Sequence, residues 1–360
     1  MPPLGPSRGS LALPVSLSLS LSVTFMLQAI SCDEAASSRP TTPPPPALVR
    51  DVTPAHFAAG TTADVAPVDN ALTEARAQLG RRLFFDKNLS RTHEVACGTC
   101  HAPDHAFSDP VPVSTGVDQR LGTRNAPALV NLAWGESFFW DGRVPTLEDQ
   151  AGKPIENPVE MDLPIAEAAA RVAGDPTYAK LFDDAYLGSA TEASLRKAIA
   201  SFVRTLVSGD SPYDRHLRGD DGEFGDAERR GEDLFLSEKA ACFHCHPAGR
   251  LTNEGFFNNG TYLDGGDSGR QMVTGRTGDL GKFKVPGLRN VGASAPYMHD
   301  GSLATLEAVV DQYARGGRGS PWTDPQIRPL TLSSDEKTDL VAFLRSLTDP
   351  AFLADPSFRP

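Results

Sequence analysis

The chain has 360 residues, with 46 acidic against 34 basic side chains and a formal net charge of −12 at neutral pH. This acidic balance gives no sign of nucleic-acid binding and would suit a basic protein partner instead. The 32 glycines and 30 prolines predict much irregular structure, and the length beyond the amino-terminal region suits two domains.

The amino-terminal 31 residues have the pattern of an export signal. Arg8 precedes an apolar, serine- and leucine-rich stretch at residues 11–30. The string AISC at residues 29–32 resembles the lipobox of bacterial lipoproteins, which predicts a lipoprotein-type signal peptide at 1–31 and a lipid anchor on Cys32, the first mature residue. A plain signal peptide with a spare cysteine is the alternative, and the serines argue against a transmembrane anchor. Either reading predicts an exported, periplasmic protein.

Residues 32–64 are rich in proline, with a run of four at 43–46. A segment of this composition is semi-extended and has no core of its own. We predict that it is a tether that holds the folded body away from a membrane surface.

Four later stretches have apolar residues at helical spacing. They span residues 71–85, 192–207 and 226–236, and a last helix begins at Ser333. Glu336 stands three residues after Ser333, which is the spacing of a capping box. Because no alternating strand pattern of any length appears, the sequence predicts a mainly α fold.

Two CxxCH motifs carry the clearest chemical signal. They consist of Cys97, Cys100 and His101, and of Cys242, Cys245 and His246. In such a motif the cysteines form thioether bonds to a haem and the histidine ligates its iron. The alternatives are redox dithiols or half zinc sites, but a zinc site needs four ligands together and these motifs lie 145 residues apart.

We therefore expect two covalently bound haem c groups. Each motif follows one predicted helix and precedes another, so the pattern occurs twice along the chain. The sequence predicts two tandem cytochrome c-like haem domains with extensive loops, at residues 65–215 and 216–350.

Four further strings complete a family resemblance. They are FFWDGR at 138–143, NPVEM at 157–161, FKVPGLRNV at 283–291 and APYMHDGSLATLE at 295–307. Together with the CxxCH motifs, they make residues 65–350 resemble the bacterial di-haem cytochrome c peroxidases. That family includes MauG, which matures the tryptophan tryptophylquinone of methylamine dehydrogenase. The resemblance implies that the first haem, on His101, meets peroxide and that the second, on His246, handles electrons.

The resemblance also bears on access to the first iron. Many relatives carry a histidine about 16 residues after the first motif histidine, and it blocks the iron until the second haem is reduced. Here that position is Val117. Valine cannot ligate iron, His216 lies far off in sequence, and His105 is expected at the surface. We expect a first haem that takes peroxide without prior reduction.

Four residues match the family's catalytic positions. Glu160 matches the distal glutamate, which can move a proton between the peroxide oxygens. Gln150 and Pro154 match an amide that bonds peroxide and a proline that shapes its cavity. Trp140 matches the tryptophan that relays electrons between the haems. The alternatives are a solvated acid for Glu160, a structural amide for Gln150 and an ordinary buried aromatic for Trp140.

The sixth ligand of the second haem has two candidates. The family position lies eight residues after Thr305, at Tyr313, where MauG has tyrosine and the peroxidases have methionine. A phenolate there would lower the potential of the second haem. Met298 is the rival ligand, and a core tyrosine is the alternative role for Tyr313.

A calcium ion commonly lies between the haems in this family. The matching ligands are the side chain of Asn125 and the carbonyls of Ser294 and Pro296. Three oxygens with added waters suit a hard cation.

Three functions follow from the resemblance. The first is reduction of hydrogen peroxide, fed by a small c-type cytochrome or a cupredoxin. The second is a MauG-like oxidation of side chains in a partner protein. The third is electron transfer without catalysis. An open iron beside a glutamate argues against this third function.

Overall fold

Helices make up most of the regular structure in the computed structural model, which describes residues 54–57, 66–263 and 266–360. These residues belong to one unit, Pro45–Pro360. The expected signal peptide, Cys32 and most of the tether lie outside the described residues. Within the described ranges, no helix is both long enough and apolar enough to cross a membrane.

The described part of the chain contains twelve α-helices, which confirms the mainly α prediction. In chain order they are α1 Glu74–Phe84, α2 Cys97–Cys100, α3 Leu147–Glu156, α4 Ile165–Gly174, α5 Pro176–Tyr186, α6 Glu192–Thr205, α7 Pro212–Leu217, α8 Asp226–Phe235, α9 Gln271–Thr274, α10 Leu306–Ala314, α11 Ser334–Ser346 and α12 Pro350–Ala354. Two short strands, β1 Phe256–Phe257 and β2 Phe283–Lys284, pair antiparallel. Short 3₁₀ turns and loops connect these elements.

The first hydrophobic cluster forms where α1 packs against α6. Leu79, Leu83 and Phe84 of α1 are buried there together with Phe202 of α6. Gly80 allows this approach, because a Cβ on it would lie 1.9 Å from the carbonyl oxygen of Ala198. The predicted helix at 71–85 therefore exists, and it begins after Thr73, whose hydroxyl accepts the amide hydrogen of Arg76.

The second hydrophobic cluster repeats this arrangement with α8 and α11. Phe235 packs on Phe343 with ring centroids 4.9 Å apart. A Cβ on Gly231 would lie 2.1 Å from the carbonyl oxygen of Asp339, so glycine is again required where the helices meet. The predicted capping box is confirmed, since Ser333 Oγ accepts from Glu336 N at 3.2 Å and Ser333 N donates to Glu336 Oε2 at 2.9 Å.

Each cluster also supports one motif histidine. Phe84, the last residue of α1, lies 6.4 Å from the ring of His101, and Phe235, the last residue of α8, lies 6.4 Å from the ring of His246. The same arrangement therefore occurs twice in the chain. In each case a helix crosses a second helix and its last residue lies close to a motif histidine. The domain boundaries at 65, 215 and 350 stay a prediction.

The end of the chain returns to the first cluster. Phe352 of α12 is buried there, and its ring lies 6.1 Å from that of Phe107. Phe358 contacts the same ring at 6.3 Å, and Arg359 forms an ion pair with Asp104 at 2.6 Å. The carboxyl terminus thereby packs against the loop that follows the first CxxCH motif.

Residues 54–57, near the end of the predicted tether, also pack on the body. Phe57 is buried against Trp134, with ring centroids 5.5 Å apart, and under the guanidinium of Arg289. His56 pairs with the fully buried Asp214 at 2.8 Å. The tether thus has an ordered contact at its carboxyl end, which its composition did not predict.

Candidate functional site

One cavity of about 530 Å³ is lined by residues of both CxxCH motifs. The cavity is lined by all the predicted site residues except one. The exception is Cys97, which packs against the first hydrophobic cluster. The predicted site residues that line the cavity are Cys100, His101, Asn125, Trp140, Gln150, Pro154, Glu160, Cys242, Cys245, His246, Ser294, Pro296, Met298 and Tyr313. Positions up to 213 residues apart in sequence thus face the same space.

The two motif histidines have the same hydrogen-bond geometry. His101 donates from Nδ1 to the carbonyl of Phe107 at 2.7 Å, and His246 donates from Nδ1 to the carbonyl of Leu251 at 2.8 Å. Burial lowers the pKa of His101 and lowers that of His246 to about 4. Both rings are therefore neutral with Nε2 free as a donor atom, which is the form that ligates haem iron.

The four motif cysteines are unpaired thiols. Burial raises the pKa of Cys97 and Cys242 to about 12, and that of Cys100 and Cys245 to about 11. Reactive dithiols need a lowered pKa, so these values argue against a redox dithiol. No group of three or more histidine, cysteine or acidic side chains that could hold a metal ion occurs in the described ranges. The donor set fits two haem c groups.

Gln150 and Pro154 lie on the cavity side of α3. They are four residues apart, so their side chains share one helix face. Proline has no amide hydrogen for the carbonyl of Gln150, and this interrupts the helical hydrogen bonding near the carboxyl end of α3. The carbonyl of Pro154 in turn accepts from Met161 N at 3.2 Å, which folds the chain back towards the cavity.

Glu160 lies on the turn that follows α3. Asn157 accepts the amide hydrogen of Val159 at Oδ1, and its Nδ2 donates to Glu160 Oε1 at 2.6 Å. Burial raises the pKa of Glu160, while the Asn157 hydrogen bond and the charge of Arg143 partly oppose that rise. A carboxyl group poised in this way can both accept and return a proton.

The segment that contains Val117 is tied to this turn by its backbone. Val117 N donates to the carbonyl of Glu160 at 2.9 Å, and a Cβ on Gly116 would lie 2.2 Å from the carbonyl oxygen of Val159. The Val117 side chain is fully buried in the first hydrophobic cluster. Arg91 and Arg120 reinforce the contact with ion pairs to Asp162 at 3.0 and 3.2 Å.

The other two histidines considered from sequence lie apart from this cavity. His105 is half-buried, whereas the surface had been expected, because the next two residues are buried: Ala106 is inaccessible and Phe107 belongs to the first cluster. His216 stacks on Phe224 at 4.3 Å and pairs with Glu232 at 3.3 Å.

Trp140 is held from both sides of the cavity. Its indole N–H donates to the carbonyl of Asn125 at 2.8 Å, and its own carbonyl accepts from Lys284 N at 2.8 Å. The ring lies edge-on to His299, with centroids 6.5 Å apart. Trp140 is thus hydrogen-bonded both to a residue that follows the first motif in the chain and to one that follows the second.

Both candidate sixth ligands lie beside one amide. Asn259 Nδ2 is 3.3 Å from Met298 Sδ and 3.4 Å from the hydroxyl of Tyr313. Burial raises the pKa of Tyr313, and the Asn259 hydrogen bond opposes that rise. Met272, the other methionine that follows the second motif in the chain, is exposed. The structure therefore keeps Tyr313 and Met298 as the two candidates.

The three candidate calcium ligands line the cavity together. Asn125 donates from Nδ2 to the carbonyls of Val111 and Pro112 at 3.1 and 3.2 Å, which turns Oδ1 away from those carbonyls. In the described part of the chain, no backbone amide donates to the carbonyl of Ser294 or Pro296. Three available oxygens fit a hard cation.

Sequence reasoning missed several residues of the site. Asn157, Asn259 and Arg143 are common polar residues whose roles depend on tertiary contacts. His299 is also buried, stacks on Phe283 at 3.5 Å and lines the cavity, and the described residues provide no partner for its Nε2. If this nitrogen carries the ring hydrogen, it could donate to a bound group that has acceptor oxygens, such as a haem propionate. Its place in the APYMHDG string was the available signal.

Comparison with known proteins agrees with this geometry. Residues 74–222 match the family model described as di-haem cytochrome c peroxidase. The methylamine utilization protein MauG of Methylorubrum extorquens is 40% identical over 296 residues, which cover 81% of this chain and 83% of that protein. The cytochrome c551 peroxidase of Pseudomonas aeruginosa is 33% identical over 300 residues, which cover 78% and 83%.

A solved structure also matches at the level of the fold. It is a MauG-like protein associated with microbial copper homeostasis, 36% identical, with a TM-score of 0.78 over 89% of this chain and 98% of that one. The di-haem peroxidase BthA from Burkholderia thailandensis shares the fold at 23% identity and a TM-score of 0.65.

Proposed function

The chain belongs to the di-haem cytochrome c peroxidase family, and we propose that it reduces hydrogen peroxide to water at its first haem, with electrons that enter through the second. The overall reaction takes two electrons and two protons for each peroxide and releases two water molecules. When bound, the haem groups supply the electron-transfer chemistry, with His101 and His246 to hold them. The observation that carries the proposal is the half-buried Glu160 carboxyl group on the shared cavity.

Glu160 moves the proton in this proposal. Its carboxylate takes a proton from one peroxide oxygen and returns it to the other, so that water is the leaving group. Asn157 holds the carboxyl in place through the 2.6 Å hydrogen bond to Oε1. Gln150 hydrogen-bonds the bound peroxide, and Pro154 shapes the wall beside it.

Trp140 is proposed to relay electrons between the two halves of the cavity. Its double anchoring, to Asn125 and Lys284, supports a fixed electron path. Asn125, Ser294 and Pro296 hold a calcium ion nearby. A small c-type cytochrome or cupredoxin supplies the electrons.

The conservative variant Glu160→Gln tests the proposal. It keeps the size and the hydrogen-bonding capacity of the side chain but cannot accept a proton, so peroxide turnover with a reduced c-type cytochrome should fall by roughly 10²-fold or more. Haem absorbance provides the control, because both haems should remain attached. Unchanged turnover in a variant with both haems would remove Glu160 from the mechanism and with it the basis of the proposal.

A MauG-like oxidation of a partner protein is the second candidate. Tyr313 on the second-haem side of the cavity favours it, because a phenolate ligand would favour the oxidised states of that haem. Peroxide-dependent modification of a co-purifying protein, with slow turnover of reduced cytochrome c, would support this function over the first.

We propose a periplasmic location because the amino terminus has the pattern of an export signal. The pattern of residues 1–32 supports export to the periplasm, where haem c is attached, and a lipid anchor on Cys32. The ordered contact of residues 54–57 with the body lies after the proline run and so is compatible with a tether.

A further inference from the structure

The side chain of Asn259 lies between the two candidate ligands of the second haem. It lines the cavity two residues after β1 and accepts a hydrogen bond at Oδ1 from the buried hydroxyl of Thr261, at 2.7 Å. A thioether sulfur has no hydrogen to donate, so the amide NH₂ group must face Met298. Thr261 therefore keeps the amide oriented with both donor hydrogens towards the ligand candidates.

The two contacts of this NH₂ group differ in quality. Sulfur is larger than oxygen, so a distance of 3.3 Å to Met298 Sδ is a close contact for such an acceptor. The distance of 3.4 Å to the hydroxyl of Tyr313 exceeds the usual range for an N–H···O hydrogen bond. The sulfur lone pair is therefore engaged, while the phenol oxygen is only loosely held.

The backbone restrains Met298 further. Its φ angle of +73° lies in the left-handed region, which is unfavourable for a side chain of this size. Gly301 N donates to its carbonyl at 3.2 Å, and Tyr297 N pairs with the carbonyl of Leu303 at 2.7 Å. Met298 thus sits on a tight turn whose flanks are hydrogen-bonded.

The loop that carries Asn259 is also joined to the helix that carries Tyr313. Gln312, the neighbour of Tyr313 on α10, is buried and donates from Nε2 to the carbonyl of Gly260 at 3.1 Å. Arg318 N donates to the same carbonyl at 3.0 Å. Because of these bonds, Asn259 and Tyr313 keep a fixed relation to each other.

We propose that Asn259 is a positioning residue that selects the sixth ligand of the second haem. Its amide engages the sulfur of Met298 and leaves the phenol oxygen of Tyr313 as the available donor. Thr261 supports this role because it sets the orientation of the amide. The inference rests on the proposed di-haem function and deepens it at the second haem.

The test uses the full-length di-haem protein with the variant Asn259→Leu. Leucine is similar in size but offers no donor, so the sulfur of Met298 is released to compete for the iron. We expect a near-infrared charge-transfer band of a thioether on ferric haem and a shift of the second haem to more positive potential, because methionine ligation raises haem potentials. The matched double variant Asn259→Leu/Met298→Leu should show no such band.

Thr261→Val keeps Asn259 but removes the hydrogen bond that orients its amide. We expect a smaller shift of the potential in the same direction, and this variant keeps the test decisive should Asn259→Leu lose its haem. If neither variant gains the near-infrared band or changes the potential while both haems are retained, Asn259 does not select the ligand.

Tyr313→Phe separates this failure from failure of the wider proposal. If Tyr313→Phe changes the spectrum while Asn259→Leu does not, Tyr313 is a ligand and only the selecting role is wrong. If Tyr313→Phe leaves the spectrum and potential unchanged, Tyr313 is not the ligand and the inference falls with it. Peroxide turnover at the first haem is read separately by Glu160→Gln.

Discussion

At the scale of single residues, Glu160 combines burial with a short hydrogen bond from Asn157. Burial disfavours the charged carboxylate and raises its pKa, while the Asn157 amide and the Arg143 charge favour the carboxylate. The carboxylate is the form that accepts a proton from peroxide. Its population falls as the pH falls through this raised pKa.

A pH profile tests this assignment. We expect the rate of the peroxide reaction to fall towards acid pH with a midpoint above the ordinary pKa of glutamate. Asn157→Ala removes a hydrogen bond that stabilises the carboxylate, so the pKa should rise further and the acid limb should move to higher pH. Stopped-flow rates across pH provide the measurement. An acid limb that stays in place, or moves to lower pH, would contradict the assignment.

Gly116 is required for the contact between its segment and the Glu160 turn. A Cβ there would lie 2.2 Å from the carbonyl oxygen of Val159 and 2.5 Å from that of Glu160. We predict that Gly116→Ala displaces the turn and slows the peroxide reaction by 10-fold or more, on the order expected when a proton-transfer group is misplaced. Both haems should remain attached.

The matched control is Gly122→Ala in the same loop. A Cβ on Gly122 would find its nearest neighbour at 3.6 Å, which is an ordinary contact. Stopped-flow rates with peroxide should therefore stay close to the wild-type value for Gly122→Ala. Equal rates for the two alanine variants would show that the close approach at Gly116 does not position Glu160.

At the scale of elements, the helices were predictable and their partners were not. Apolar spacing and caps act within a few residues, so both ends of α1, α6 and α8 and the start of α11 could be predicted to within three residues. The crossings depend on Gly80 and Gly231, whose close backbone contacts come from residues more than 100 positions away. The local spacing of apolar and capping residues does not indicate such long-range contacts.

The return of α12 to the first cluster is a second feature that the sequence did not indicate. Phe352 packs on Phe107, whose carbonyl accepts the Nδ1 hydrogen of His101. The end of the chain therefore supports the loop that orients the first motif histidine.

The variant Phe352→Ala measures this support. Loss of a buried phenylalanine should lower the free energy of unfolding by about 3–5 kcal/mol. Ser357→Ala, at an exposed position in the same segment, should change it by less than about 0.5 kcal/mol. Urea unfolding followed by haem absorbance provides both values, and equal stability of the two variants would show that α12 does not support the first cluster.

At the scale of the whole molecule, one cavity joins residues from both halves of the chain. The CxxCH motifs predicted the haem ligands from local sequence, and the family resemblance nominated Glu160, Trp140 and Tyr313, which the structure brings to that cavity. The sequence did not identify three further residues of the site, Asn157, Asn259 and His299. Their roles depend on contacts that exist only in the folded chain. A family resemblance identifies residues by their place in a motif, whereas these side chains act through contacts with other residues of the site.

Access of peroxide to the first iron decides whether the oxidised protein can react without prior reduction. By the family resemblance, Val117 stands at the position where many relatives carry a histidine that blocks that iron, and its side chain is buried in the first hydrophobic cluster. Its backbone is bonded to Glu160, so the segment is held beside the proposed proton-transfer group.

The most direct test is stopped-flow absorbance after hydrogen peroxide is mixed with the fully oxidised di-haem protein. We expect a fast change in the haem Soret band without any prior electron, because the valine at position 117 cannot ligate the iron. An absorbance that changes only after one electron has been supplied would contradict it. That result would mean that another residue closes the first iron until the second haem is reduced.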